Sequence, residues 1–76
     1  MDFIDLQLDT SGLNCPLPLL RLKKALSSLD IGQVVQVAAT DPASVLDFGV
    51  FIERTGHVML EQWQEEAVFL YLIRKG

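Results

Sequence analysis

The sequence predicts a two-layer α/β (α+β) sandwich in the order βαβαββ, with a four-stranded mixed sheet and two helices on one face. Three observations lead to this reading. The chain has 76 residues, half of them apolar. That is one domain with a single core, burying roughly 60% of the unfolded surface, and it is too apolar for a disordered segment. Along it, strand-like alternation and helical spacing of apolar residues succeed one another as strand, helix, strand, helix, strand, strand. Finally, strand-helix-strand units favour parallel pairing, whereas two consecutive strands joined by a short turn pair antiparallel.

Each element has its own local reason. Phe3 to Leu8 alternates, with Ile4, Leu6 and Leu8 set against Asp5 and Gln7, the signature of a half-buried strand. Thr10 to Asn14 contains Gly12 and reads as a turn. A helix follows Cys15. Leu19, Leu22, Leu26 and Leu29 form one apolar stripe at helical spacing, Arg21, Lys24 and Ser28 fall on the other side, and Asp30-Ile31-Gly32 closes the helix. Val34 to Ala39 is almost wholly apolar, as in a central strand. Two positions compete as the start of the second helix. Asp41-Pro42 is a cap followed by proline, and Asp47 is a later cap that leaves 41 to 46 as a turn. Gly49 favours the later start, because glycine inside a helix costs about 1 kcal/mol relative to alanine. Gly56 suits the position past the helix end. Val58 to Gln62 and Val68 to Ile73 read as two strands, with Gln64-Glu65-Glu66 as the hairpin turn between them.

Composition narrows the function classes. The formal net charge is −4, which disfavours nucleic-acid binding through phosphate contacts and favours a partner with a basic surface. Residues 1 to 8 carry Asp2 and Asp5 and lack a basic n-region, so no signal peptide is expected. No apolar run has membrane-spanning length. A single cysteine makes no internal disulfide, and the sequence offers no Cys/His cluster for a metal. A cytoplasmic monomer without a bound cofactor is the expectation, since one unpaired thiol suits a reducing compartment.

The chemistry concentrates at Cys15-Pro16-Leu17-Pro18. Proline is favoured at the first helical position and keeps the residue before it out of the helix. Cys15 is therefore expected at the N-cap, facing free backbone N–H groups that favour negative charge. A thiol there is expected to ionise more readily than a free one. If the first two strands are parallel, Cys15 and Asp41 both follow a strand's C-terminal end and border one shallow site. No histidine has a spacing that makes it a base for Cys15: His57, the only one, reads as a solvated turn residue. Gly-rich phosphate loops are missing, and Glu61, Glu65 and Glu66 read as a solvated hairpin. With no base or metal in view, the chemistry left to Cys15 is thiol exchange. Most free cysteines are small buried hydrophobes, but Cys15 lies at a turn-to-helix junction beside Asn14 rather than in an apolar stripe. A nearby Asp41 would oppose ionisation, and its simpler role is a turn or helix cap.

These residues resemble the TusA (SirA-like) sulfur carrier family. The resemblance rests on Leu8 to Asn14 leading into Cys15-Pro16-Leu17-Pro18, on Asp41-Pro42-Ala43, on Thr55-Gly56-His57 and on Tyr71-Leu72-Ile73-Arg74-Lys75. It covers almost the whole chain as a single TusA-like domain. It implies the βαβαββ fold and a carrier role in which Cys15 receives sulfane sulfur from a cysteine desulfurase or another donor. Cys15 would hold that sulfur as a persulfide and pass it to a cysteine of an acceptor protein. In the best-known branch the sulfur reaches 2-thiouridine in tRNA; other branches are associated with sulfur oxidation, molybdenum cofactor or selenium metabolism. Gly12, Pro16, Pro18 and Asp41 are the supporting residues of the motif. Leu17, Arg21 and Lys24 are candidates for partner docking, with a solvated helix face as the plainer reading of the two cations. Leu17 stands where many relatives carry an acidic residue, and Gly49 where relatives often carry proline.

Two readings compete with the carrier. One is a regulatory, SirA-like interaction module in which the thiol is incidental, suggested by the sheet face that two helices leave uncovered. The other is a thiol oxidoreductase or peroxidase, which the lack of a second, resolving cysteine weakens.

Overall fold

Apolar alternation builds β1 (Leu6–Thr10), shifted toward the C-terminus from the expected Phe3 to Leu8. The computed structural model describes residues 3–76, so Asp2 lies outside the described residues. The shift has a local cause. The N–H of Asp5 donates to the carbonyl of Val34 at 2.9 Å, and the Asp5 carboxylate accepts the Val34 N–H at 2.8 Å. Asp5 thereby closes the strand end and leaves Phe3 exposed.

Helix α1 (Leu17–Ser27) buries the expected stripe: Leu22 and Leu26 are buried, and Leu19 and Leu29 pack against the same core. Strand β2 (Val34–Ala39) follows, with Val35, Val37 and Ala39 fully buried. Helix α2 (Ala43–Glu53) starts at the earlier of its two candidate sites. Asp41 settles the choice. Its Oδ1 accepts the N–H of Ala43 at 3.0 Å and its carbonyl accepts that of Ser44 at 3.0 Å, meeting donors that a helix start would otherwise leave open. Burial of Phe48 and Ser44 against the sheet offsets the penalty of an interior Gly49.

Strands β3 (Val58–Glu65) and β4 (Val68–Arg74) run longer than the sequence suggests. Their turn is Glu66-Ala67 rather than Gln64 to Glu66, with Glu66 in the left-handed region at φ 55°. A bulge interrupts the pairing between Met59 and Glu61 on this edge strand, a common device at sheet margins.

The sheet order is β1-β2-β4-β3, with β1 and β2 parallel and the other two pairings antiparallel. One core joins Leu22 and Leu26 of α1 and Phe48 of α2 to Val35, Val37, Ala39, Tyr71 and Ile73 of the sheet. Both helices therefore cover the same face. Tyr71 anchors the layer: its ring lies 4.6 Å from that of Phe48, and its hydroxyl shares a buried 2.6 Å hydrogen bond with Ser44. Gln36, Ala38 and Leu70 alternate onto the opposite face, which the helices leave uncovered, and Leu72 on that face is nevertheless buried. Because β1 and β2 are parallel, the loops that leave them for α1 and α2 emerge side by side at one edge of the sheet.

Candidate functional site

Those two loops are stitched together by hydrogen bonds in sequence. The Thr10 hydroxyl donates to the Ala38 carbonyl at 2.7 Å, and the Gly12 N–H donates to Thr40 Oγ1 at 2.8 Å. Gly12 has φ 81°, where a side chain would be strained; the tight turn that brings its N–H to Thr40 depends on glycine. The last stitch is the Cys15 N–H, which donates to Asp41 Oδ2 at 2.6 Å. One carboxylate thus caps α2 with one oxygen and pins the Cys15 backbone with the other. The N–H of Ala43, and then that of Cys15, hold the Asp41 carboxyl below the usual carboxylate range.

Cys15 is exposed, and it is not the N-cap expected from the sequence: Pro16 takes that position, and Cys15 stands one residue outside it. The free N–H groups expected to face the thiol are largely absent. The Leu17 N–H donates to the Asn14 carbonyl at 2.8 Å and that of Leu20 to the Pro16 carbonyl at 3.1 Å, while Pro16 and Pro18 have none. Instead the thiol donates to Asp47 Oδ2 at 2.9 Å. Its acidity is therefore the reverse of the sequence expectation. The hydrogen bond to Asp47 pushes the Cys15 thiol above its ordinary range, followed by partial desolvation and then the charges of Asp47 and Asp41.

The remaining candidates divide by position. Pro18 is buried, whereas Leu17 and Leu20 are exposed on the first turn beside the thiol. Leu46, directly before Asp47, is 71% exposed and lines a shallow cleft of about 390 Å³ with Pro42, Val45, Gly49, Val50 and Glu53. Arg21 and Lys24 are directed elsewhere. They line a cavity of about 580 Å³ against Leu6 and Leu8 of β1, and Lys24 belongs to the last turn of α1. His57 follows the other end of α2, where its ring lies 5.6 Å from that of Phe51 and its Nδ1 accepts the Gly76 N–H at 3.1 Å. Among the described residues, no group of three or more His, Cys, Asp or Glu could hold a metal ion, and no helix is long and apolar enough to cross a membrane.

Asp47 is the site residue that sequence reasoning missed. It entered the sequence reading only as a rival helix cap. The signal was present: once Asp41-Pro42 begins the helix, Asp47 falls in its second turn, near the end of α2 that adjoins the Cys15 loop.

Comparison with known proteins places the chain in a family and supports its fold. Residues 6–75 match the family described as Sulfurtransferase TusA. A sulfur carrier protein TusA of Allochromatium vinosum is 52% identical over 72 residues, covering 95% of both chains. A putative sulfur carrier protein of Neisseria meningitidis is 45% identical over 67 residues, or 88% of this chain and 90% of that one. A crystal structure of a SirA-like protein from Desulfitobacterium hafniense superimposes with a TM-score of 0.81 at 30% identity, over 93% of this chain and 97% of that one. On the family match over residues 6–75, the identity to these relatives and the shared fold, the chain belongs to the TusA sulfurtransferase family.

Proposed function

We propose that this protein is a sulfur carrier that holds sulfane sulfur as a persulfide on Cys15. The observation that carries the reading is an exposed thiol, fixed by its backbone at the junction of two loops, in a chain 52% identical to a TusA sulfur carrier. The donor is a cysteine desulfurase or another protein persulfide. The Cys15 thiolate attacks the outer sulfur of that persulfide, a new S–S bond forms at Cys15, the donor's S–S bond breaks, and the donor leaves as a thiolate that takes up a proton. No electrons are gained or lost overall, so the step needs no redox cofactor. Unloading is the same exchange, with an acceptor's cysteine as the attacking thiolate. The sulfur is destined for thiolated tRNA or a related product, and a reducing, cytoplasmic setting keeps the thiol free between cycles.

Each supporting residue has a physical task in this cycle. Gly12 and Asp41 hold the loop that presents Cys15. Pro16 and Pro18 fix the chain at the entry to α1. Leu17 and Leu20 supply exposed apolar surface for a protein partner beside the thiol.

The experiment is sulfur transfer from labelled cysteine. With a cysteine desulfurase, the protein should acquire label that a reducing agent releases, and Cys15→Ser should acquire none. Equal labelling of both proteins would exclude Cys15 as the carrier. The regulatory alternative, favoured by the uncovered apolar residues Ala38 and Leu70 on the sheet, predicts that Cys15→Ser retains its effect in cells.

A further inference from the structure

Carrying sulfur demands a thiol that reacts with its donor and not with every oxidant or electrophile it meets. Cys15 is exposed and has no second cysteine in the chain to protect it. Its surroundings address that conflict. The thiol donates to Asp47 Oδ2 at 2.9 Å from α2. The Asp41 carboxylate lies against the Cys15 backbone at 2.6 Å from the loop after β2. On its own side, the first turn of α1 contains no acidic residue, and the first cation of that helix, Arg21, lines a cavity against β1. Near the end of β1, Asp9 is occupied by the Ser11 N–H at 2.9 Å, and Asn14 in the loop that follows is uncharged. The charges set on the thiol are therefore two carboxylates.

A carboxylate that accepts a thiol's hydrogen bond stabilises the neutral thiol and opposes the thiolate. Only the thiolate attacks sulfur. We propose that Asp47 is a positioning residue that keeps the unloaded Cys15 thiol protonated, and that a cationic side chain of the sulfur donor releases it for loading by pairing with Asp47. This rests on the carrier reading. The partner is specified by charge: Asp47 and Asp41 flank the thiol in a chain of net charge −4, so the donor surface presents Lys or Arg next to its persulfide. When the cation pairs with Asp47, the thiol proton passes to solvent and the thiolate attacks the donor's outer sulfur, with the bond changes given above.

The test needs no donor protein. Iodoacetamide alkylation of the wild type, Asp47→Asn, Asp47→Ala and the remote control Glu53→Gln is followed against pH. The rate tracks the thiolate fraction. Both Asp47 variants should move the inflection to lower pH and raise the rate near neutrality by roughly threefold or more, while Glu53→Gln matches the wild type. In a second arm, thiol–disulfide exchange is timed with cystamine, which is cationic, and with dithiodiglycolate, which is anionic. The wild type should prefer cystamine, and Asp47→Asn should shrink that preference. Circular dichroism checks that each variant is folded. An unchanged inflection in both folded Asp47 variants, or an unchanged preference between the two disulfides, overturns the proposal. Failure of Cys15 labelling instead overturns the carrier reading, so the two results are separable.

Discussion

A single side chain, Asp41, serves both loops of the site. Its Oδ1 caps α2 through the Ala43 N–H, and its Oδ2 holds the Cys15 N–H. These bonds keep its folded acidity stronger than that of an unfolded aspartate. The sign of the pH dependence follows. Asp41 contributes its stability in full above the unfolded value, about 3.9, and that contribution is lost as the pH falls through the lower folded value. Asp41→Ala should therefore lower the melting temperature at neutral pH, and the gap from the wild type should narrow under acid. A constant gap from pH 7 down into strong acid would show that the charge plays no part. At this scale the sequence was partly legible. The turn at Gly12 and the cap signal at Asp41 could be recognised because turn and cap chemistry is local, whereas Cys15 was expected at the N-cap that Pro16 occupies. Asp47 could not be tied to Cys15, because that contact spans 32 positions and exists only once two helices have packed side by side. The same missing contact inverted the expected acidity of the thiol.

At the scale of elements, the start of α2 shows how packing and capping override propensity. Gly49 argued for a late start, yet the helix runs through it because Asp41 supplies the cap and Phe48 is buried. Gly49 has a cost but no steric purpose: a Cβ added there meets nothing within 4 Å. Gly49→Ala is therefore expected to stabilise the protein by roughly 0.5–1 kcal/mol, read as a melting temperature higher by several degrees. A lower melting temperature would mean that the helix needs glycine there for a reason outside its own backbone. Most strand and helix identities were readable from periodicity, and the stripe of Leu19, Leu22, Leu26 and Leu29 faces the core as expected. The strand limits were less readable. Those of β1 depend on a side-chain bond from Asp5 to the neighbouring strand, and the hairpin turn at Glu66-Ala67 lacks the glycine or asparagine that marks such turns.

For the whole molecule, parallel pairing of β1 with β2 places both helix-leading loops at one edge of the sheet, the usual ligand edge of an open α/β sheet. The order of elements made that arrangement inferable before any contact was known. The resulting site has one thiol, two carboxylates and an apolar rim, and among the described residues no metal cluster accompanies them. Such a site is equipped to accept and surrender a sulfur atom, and the family relationship points to the same chemistry. The most direct measurement is the intact mass of the full chain after exposure to a cysteine desulfurase and cysteine. The account predicts a gain of one sulfur atom, located on the Cys15 peptide, reversed by a thiol reductant and absent from Cys15→Ser. A wild-type mass that stays unchanged with an active, cognate desulfurase, or a sulfur that persists in Cys15→Ser, would contradict it.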